Sequence, residues 1–332
     1  MPSSPPRVAV IVLSWNNFVD SKACIESIFA NSYCNLWPIL VDNGSTDASY
    51  ELLKQAFPQV DTIRNEENLG FSRGCNVGIR KALVDRNCSY VMLLNNDCIL
   101  EKSGVDIAVS EMEACPAIGI VTGKILFNDG TNRIWHAGGS INKLTASAKC
   151  RGLREVDSGQ YGEIVDTQWA SGAMMIVSRQ ALERAGLLPE EYFFGIEEWD
   201  YSLTMRDAGF RIRYVPQFVG YHHGDGSHNN HDPKFVYNYY RNKLIFQQKF
   251  HGSIFFFFWK FAFRFYVLTR LKARITQIKG QGIFTPEQNI HRVEDIVNAA
   301  FTALRDHGKN QLTERTMLDF ERTRLRKRAN QS

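Results

Sequence analysis

The chain has 332 residues, enough for about two folded units at roughly 150 residues each. Hydrophobic residues make up 44% and charged residues 22%, a balance that excludes a largely disordered chain. The 39 Lys and Arg against 35 Asp and Glu give a net charge of +4, but residues 233–286 hold ten bases and no acid, which leaves 29 bases against 35 acids elsewhere.

Val8 to Leu13 is a continuous apolar, β-branched run, as a strand buried on both faces requires. Helical spacing follows over 20–30, then a strand over 37–41, a helix over 48–57, a short strand over 60–63 and a helix over 72–84. Residues 90–94 predict another strand, 105–113 a helix and 118–121 a strand. This alternation is the pattern of a parallel, doubly wound α/β sheet, whose ligand sits beyond the carboxyl ends of the strands. Residues 127–166 weaken into Gly-rich and polar hairpins and loops. A strand is predicted over 169–178, a helix over 179–185, a helix from Asp200 to Ala208 and a strand over 211–215. From Tyr237 the pattern is helical, first aromatic and basic, then charged and amphipathic over 287–328. The expected division is 1–245 for the α/β domain and 246–332 for a helical C-terminal region.

The strand ends carry the chemistry. Ser14-Trp15-Asn16-Asn17 closes the first strand, and Asp42-Asn43-Gly44-Ser45-Thr46-Asp47 closes the second. Gly44 permits a tight turn, and Ser45, Thr46 and Asp47 offer N-cap oxygens to the next helix. A carboxylate at Asp42 accepts a hydrogen bond from the imide N–H of uracil or thymine, which cytosine lacks; the other reading is a turn cap alone. After the third strand comes Asn68-Leu69-Gly70-Phe71-Ser72-Arg73-Gly74-Cys75-Asn76-Val77-Gly78. Its glycines allow backbone amides to approach a phosphate, and Arg73 adds a charge-assisted donor. The run is neither a Walker A loop nor a dinucleotide fingerprint, since no Gly-Lys-Ser/Thr follows and it does not follow the first strand.

The fourth strand ends at Asn95-Asn96-Asp97, where a carboxylate either closes a turn or binds Mg²⁺ or Mn²⁺ that bridges diphosphate oxygens. Glu197-Glu198-Trp199-Asp200 gathers acids before a helix. Each acid is a candidate dipole partner; Glu198, in an apolar setting, should also resist ionisation, as a general base requires. His222-His223, in a Gly-rich loop after a strand, suits metal ligation.

Taken in order, these motifs resemble family 2 glycosyltransferases, over roughly residues 7 to 245, with the nearest likeness in the bacterial rhamnosyltransferase-like branch that builds cell-surface polysaccharides. The resemblance implies a GT-A fold, a nucleotide-sugar donor, a divalent metal (Mg²⁺ or Mn²⁺) and inversion at the anomeric carbon. It implies that Asp42 binds the base beside Ser14 and Asn16, and that Asn68, Gly70, Phe71, Arg73 and Asn76, with Asn95 and Asn96, line the donor pocket. Asp97 would be the metal-binding last residue of the family's Asp-x-Asp motif, and Glu198 the catalytic base. Either His222 or His223 would hold the metal or the diphosphate. Ser171-Gly172, with Glu197, Trp199 and Asp200, would lie at the acceptor side. The chain departs from the pattern twice: only the last acid of Asp-x-Asp remains, and the usual Glu-Asp pair reads Glu197-Glu198.

The expected reaction moves a sugar from a UDP- or dTDP-sugar, with dTDP-rhamnose the weakly favoured donor, to a hydroxyl of a saccharide or lipid-linked saccharide. Two other readings stand beside it: a non-catalytic nucleotide-sugar binder on the same fold, and a nucleotidyltransferase. The second needs a Gly-rich Lys/Arg loop after the first strand, which Ser14-Trp15-Asn16-Asn17 does not offer. Seven cysteines without a Cys-x-x-Cys pair, and a polar, Pro-rich stretch over residues 1–7, predict a reducing, cytoplasmic setting. The basic aromatic segment 246–280 is expected either to dock on the inner face of the cell membrane or to pack against the body or a second subunit. Lys260 and Arg264 share a helix face there, but four consecutive Phe, 255 to 258, point all round it, so no clean amphipathic helix is expected. The Arg322–Arg328 cluster reads as a solvated helix end and not as a nucleic-acid site.

Overall fold

The computed structural model describes residues 4–223, 233–280 and 286–306. Two compact units divide the chain: one of 1–142, 147–190 and 197–225, the other of 143–146, 191–196 and 226–332.

The first unit is built on a ten-stranded sheet among the described residues. β1 (Arg7–Ser14), β2 (Leu36–Asp42), β3 (Asp61–Arg64) and β4 (Cys88–Asn95) run parallel in the order β3-β2-β1-β4. They alternate with α1 (Phe18–Phe29), α2 (Ser49–Ala56) and α3 (Phe71–Val84). Because β2 and β4 flank β1, the chain reverses its direction of travel across the sheet at β1, which opens a crevice at the carboxyl ends of β1 and β4. β5 (Cys98–Leu100), α4 (Val105–Ala114) and β6 (Ile118–Phe127) follow. β7 (Ile134–His136) pairs with β6, while β8 (Gly139–Asn142) and β9 (Ser147–Cys150) form a separate hairpin. β10 (Val165–Asp166), β11 (Met174–Ser178), α5 (Arg179–Ala185), α6 (Glu197–Asp207) and β12 (Arg211–His222) complete the unit.

β11 enters antiparallel between β4 and β6, so the sheet is mixed and not wholly parallel. Met174 pairs with Leu94, which sets the start of β11 at the same edge as the end of β4. β12 is parallel to β6 and ends at that edge too. The sheet is packed on both faces, by Val10, Val12 and Met92 on one side and Ile11, Val91 and Leu93 on the other. That is why these strands read as unbroken apolar runs.

Three sequence expectations change. The 169–178 strand begins only at Met174, leaving Trp169–Ala173 as a turn at the edge of the sheet. β12 continues past residue 215 to His222 after an irregularity between Val215 and Val219. α6 starts at Glu197 and so takes all three acids into its first turn. In α3, an added Cβ on Gly74 would meet Leu13 Cδ1 at 2.6 Å, and one on Gly78 would meet Ile11 Cγ2 at 2.6 Å. Those two glycines let the helix lie close on the sheet.

The second unit holds α7 (Pro233–Phe250), α8 (Ser253–Gly280) and α9 (Pro286–Asp306). Val236, Tyr240 and Leu244 of α7, Phe263 and Val267 of α8, and Ile296 and Ala300 of α9 form its core. Asn242 donates to the Phe194 and Gly195 carbonyls, and Gln247 to the Lys143 carbonyl, which fixes the two short segments of this unit on α7. The Gly224–Ser227 part of the histidine loop and the Arg322–Arg328 cluster lie outside the described residues.

Candidate active site

At the end of β2, Asp42 is fully buried, and its Oδ2 accepts from the Ser45 amide at 3.1 Å. Arg64, its partner in register at the end of β3, brings Nε to 3.5 Å from the same oxygen. The other carboxylate oxygen, Oδ1, is buried with no hydrogen-bond partner among the described residues. An acceptor left in that state carries a desolvation penalty that a ligand N–H would remove. Asn16 lies beside this turn with φ of 49°, a left-handed conformation that Asn tolerates. Its side-chain oxygen accepts from the Thr46 amide at 2.8 Å, and its own amide donates to Ser45 Oγ, which clamps the first loop to the second.

Asn43 ties in the third loop: its Nδ2 donates to Asn68 Oδ1 at 2.9 Å and to the Gly70 carbonyl, while its Oδ1 accepts from Asn65 and the Leu69 amide. Gly70, at φ of 80°, then caps α3. Ser14 hydrogen-bonds to Ser21, to which Asn96 also donates, so the ends of β1 and β4 are joined through one hydroxyl. Asn76 is committed in both directions to the 188–190 segment, donating to the Leu188 carbonyl and Glu190 and accepting from the Leu188 amide. Arg73 lies near the same carboxylate. Burial opposes ionisation of Glu190, yet the Asn76 and Arg80 hydrogen bonds and the Arg80 and Arg73 charges hold it below its ordinary value.

The fourth loop meets the end of β12. Asp97 Oδ1 lies 3.0 Å from His222 Nε2, and Asn95 Nδ2 lies 3.2 Å from the same nitrogen. The cause is register: β5 turns back against β12 so that Cys98 pairs with His222. Burial pushes the Asp97 carboxyl up, but the hydrogen bond and charge of His222, with the charge of His223, outweigh it and hold the group below its usual value. Strand alternation sends the next side chain outward. His223 Nδ1 meets Asp20 at 3.1 Å and its Nε2 meets Asn128 at 3.0 Å. A carboxylate oxygen and an imidazole nitrogen converging at that spacing fit a divalent cation held by two protein ligands. No cluster of three or more His, Cys, Asp or Glu stands ready for a metal among the described residues, so the remaining positions would fall to diphosphate oxygens and water.

Glu198, in the first turn of α6, points back to the turn before β11. Its Oε1 accepts from the Gly172 amide at 2.5 Å and from Ser171 Oγ at 3.2 Å. A Cβ on Gly172 would meet Phe71 Cζ at 2.8 Å and Glu198 Oε1 at 2.9 Å, so Phe71, Gly172 and the carboxylate are in close contact. Burial pushes Glu198 up to about 7, against the Gly172 and Ser171 hydrogen bonds and the charge of His222, which lies within electrostatic reach. Of the neighbouring acids, the charge of Glu197 is felt by Cys75 in α3, and Asp200 accepts from Thr204 within its own helix.

Four residues that sequence reasoning passed over complete the surroundings. Trp135 packs on His222 with ring centroids 4.6 Å apart, His136 on Trp169 at 4.8 Å, and Trp169 edges toward Trp199 at 6.5 Å. Burial, helped by the charge of Arg151, lowers His136 to about 3 and keeps it neutral. Arg64 is the fourth. The signal for the aromatic group was Trp135-His136 standing between Gly-rich turns, too short a run to read as a strand.

The family model described as Glycosyl transferase family 2 matches residues 9–184. Over 212 residues the chain is 23% identical to the low-salt glycan biosynthesis hexosyltransferase Agl10 of Haloferax volcanii, a match covering 62% of this chain and 66% of that protein. Over 211 residues it is 24% identical to the N-acetylglucosaminyl-diphospho-decaprenol L-rhamnosyltransferase of Mycobacterium tuberculosis, covering 56% and 66%. A shorter match, 29% over 119 residues, links 34% of this chain to 16% of the glycosyltransferase GlyA of Streptococcus pneumoniae. The chain thus spans less than two thirds of the length of these relatives. The mannosyltransferase PcManGT from Pyrobaculum calidifontis, solved with GDP-Man and Mn²⁺, superposes with a TM-score of 0.55 at 16% identity, over 91% of this chain and 88% of that one. GalNAc-T7 with UDP, GalNAc and Mn²⁺ gives 0.54 at 16% identity, over 71% and 48%. At such identities the likeness speaks to the fold alone, and that fold is GT-A.

Proposed function

The chain belongs to glycosyl transferase family 2, and from that membership we propose that it transfers a sugar, with inversion, from a UDP- or dTDP-linked donor to a hydroxyl of a saccharide or lipid-linked saccharide. The observation that carries the proposal is the carboxyl of Glu198. One of its oxygens is held by the Gly172 amide and the Ser171 hydroxyl in the turn before β11, at the strand edge where Asp97 meets His222, and burial pushes the carboxyl up. This shared strand edge supports reading Glu198 as the base and Asp97 with His222 as the diphosphate-binding pair.

Asp42 accepts the base imide N–H through its partnerless oxygen, while Asn16, Asn43, Asn68 and Gly70 hold the turns that shape the nucleotide pocket. Asp97 and His222 would hold Mg²⁺ or Mn²⁺, an ion that, when bound, offsets charge on the departing diphosphate. Glu198, with one oxygen fixed by Gly172 and Ser171, takes the proton from the acceptor hydroxyl as that oxygen attacks the anomeric carbon on the face away from the diphosphate. One displacement inverts the stereocentre, and no side chain forms a covalent intermediate. Likeness to the mycobacterial rhamnosyltransferase tilts the donor toward dTDP-rhamnose. The rival readings, a silent nucleotide-sugar binder or a nucleotidyltransferase, leave a carboxyl tuned near neutrality without a task.

The test is a panel of UDP-, dTDP- and GDP-sugars incubated with the protein and a saccharide acceptor. Release of UDP or dTDP that EDTA stops and Mn²⁺ or Mg²⁺ restores is the expected result. Tight donor binding without release from any donor would overturn the proposal in favour of the binder.

A further inference from the structure

Helix α8 presents two apolar faces. Phe263 and Val267 are buried, and Phe256, Trp259 and Tyr266 pack with them into the core of the second unit. On the other face Ile254, Phe257, Phe258, Phe261, Phe265 and Leu268 are 79, 71, 67, 77, 71 and 50% exposed. At 100° per residue these six positions fall within an arc of about 100°, a continuous stripe along four turns. The four consecutive phenylalanines point round the helix, as the sequence suggested, yet the exposed positions along its whole length still line up on one side. Phe256 turns into the bundle, and Phe257 and Phe258 turn out. The helix lacks an amphipathic signature because its inward face is as apolar as its outward one.

An exposed apolar stripe of this length needs an occupant. Charge decides which. Arg264 is exposed at one margin of the stripe with Lys260 one turn before it, and Lys249 and Arg270 are exposed on the same unit. Residues 233–286 hold ten bases and no acid, so this part of the chain is strongly net positive. A second copy meeting this face would bring like charges together, whereas anionic headgroups complement them. Among the described residues no helix is long and apolar enough to cross a membrane.

We propose that α8 lies in the plane of an anionic lipid surface, with the Ile254–Leu268 stripe at the headgroup–acyl boundary and Lys260 and Arg264 among the phosphates. This surface is independent of the sugar-transfer reading and survives or fails without it.

The experiment uses the full chain and sedimentation with vesicles, either of mixed phosphatidylglycerol and phosphatidylcholine or of phosphatidylcholine alone. Wild type should bind the mixed vesicles. The triple variant Phe257→Ser, Phe261→Ser, Phe265→Ser should partition about tenfold less or worse, with its circular dichroism unchanged because all three side chains are exposed. Lys260→Gln with Arg264→Gln should keep weak binding and lose the preference for phosphatidylglycerol. Equal partitioning of wild type and the triple variant would overturn the proposal. So would a wild-type dimer that ignores vesicles and becomes a monomer in the triple variant, which would assign the stripe to a second copy.

Discussion

His222 Nε2 lies 3.0 Å from Asp97 Oδ1, while the adjacent His223 reaches Asp20 on α1. The end of β12 and the residue after it thus send two histidines to different partners, and the Asp97 side carries the proposed diphosphate chemistry. His222→Ala should raise the Mn²⁺ concentration needed for half-maximal transfer by about 10- to 100-fold. His223→Ala should leave it within a few-fold. Metal titrations of both variants check this, and a larger effect at His223 contradicts the assignment.

The pH dependence follows from Glu198. Burial pushes its carboxyl up to about 7, and the proposed base role requires the ionised form. Therefore kcat/KM should rise with pH through about 7 and level off above it. Stability runs the other way. A raised carboxyl favours the fold while protonated, so its contribution is complete below the ordinary Glu value of about 4.3 and is lost as pH rises through about 7. Glu198→Gln should match wild type near pH 4 and exceed it near pH 8 by something on the order of 1–3 kcal/mol, read from denaturant midpoints. Equal midpoints at the higher pH would refute the burial account.

Gly172 leaves no room for a side chain between Phe71 and Glu198. Gly172→Ala should displace the carboxylate and lower kcat by about tenfold or more, with a stability loss of about 1–3 kcal/mol. Unchanged kcat in a folded variant would show that the contact with Gly172 does not position the base.

At the proposed nucleotide site, Asp42→Asn exchanges an acceptor for an amide that can turn a donor toward the base. Calorimetry should find UDP and dTDP bound about 10- to 100-fold more weakly, and CDP little changed. Loss of all three alike would mean that Asp42 only holds the turn through Ser45 and Arg64.

The strand ends were legible because each buried strand is an apolar run that stops at a polar, turn-forming residue: Ser14, Asp42, Asn95. The histidine register was not legible, because Val219 and Tyr221 alternate with Phe218 and Gly220 and either set could face inward; only the pairing of β12 with β5 and β6 turns His222 in. β5 and β7 are three residues each, and their place depends on partners far away in the chain, β12 and β6. No local period marks such strands, so the contacts of Trp135 with His222 and of His136 with Trp169 stayed hidden. α8 hid for the opposite reason, an apolar signal on every side.

The most direct measurement compares Glu198→Gln with wild type, each loaded with the donor that the panel identifies. The variant keeps an acceptor oxygen for the Gly172 amide and removes the base, so donor affinity should stay within a few-fold while transfer falls by about 10²- to 10⁴-fold. Transfer by the Glu198→Gln variant at the wild-type rate would contradict the account at its centre.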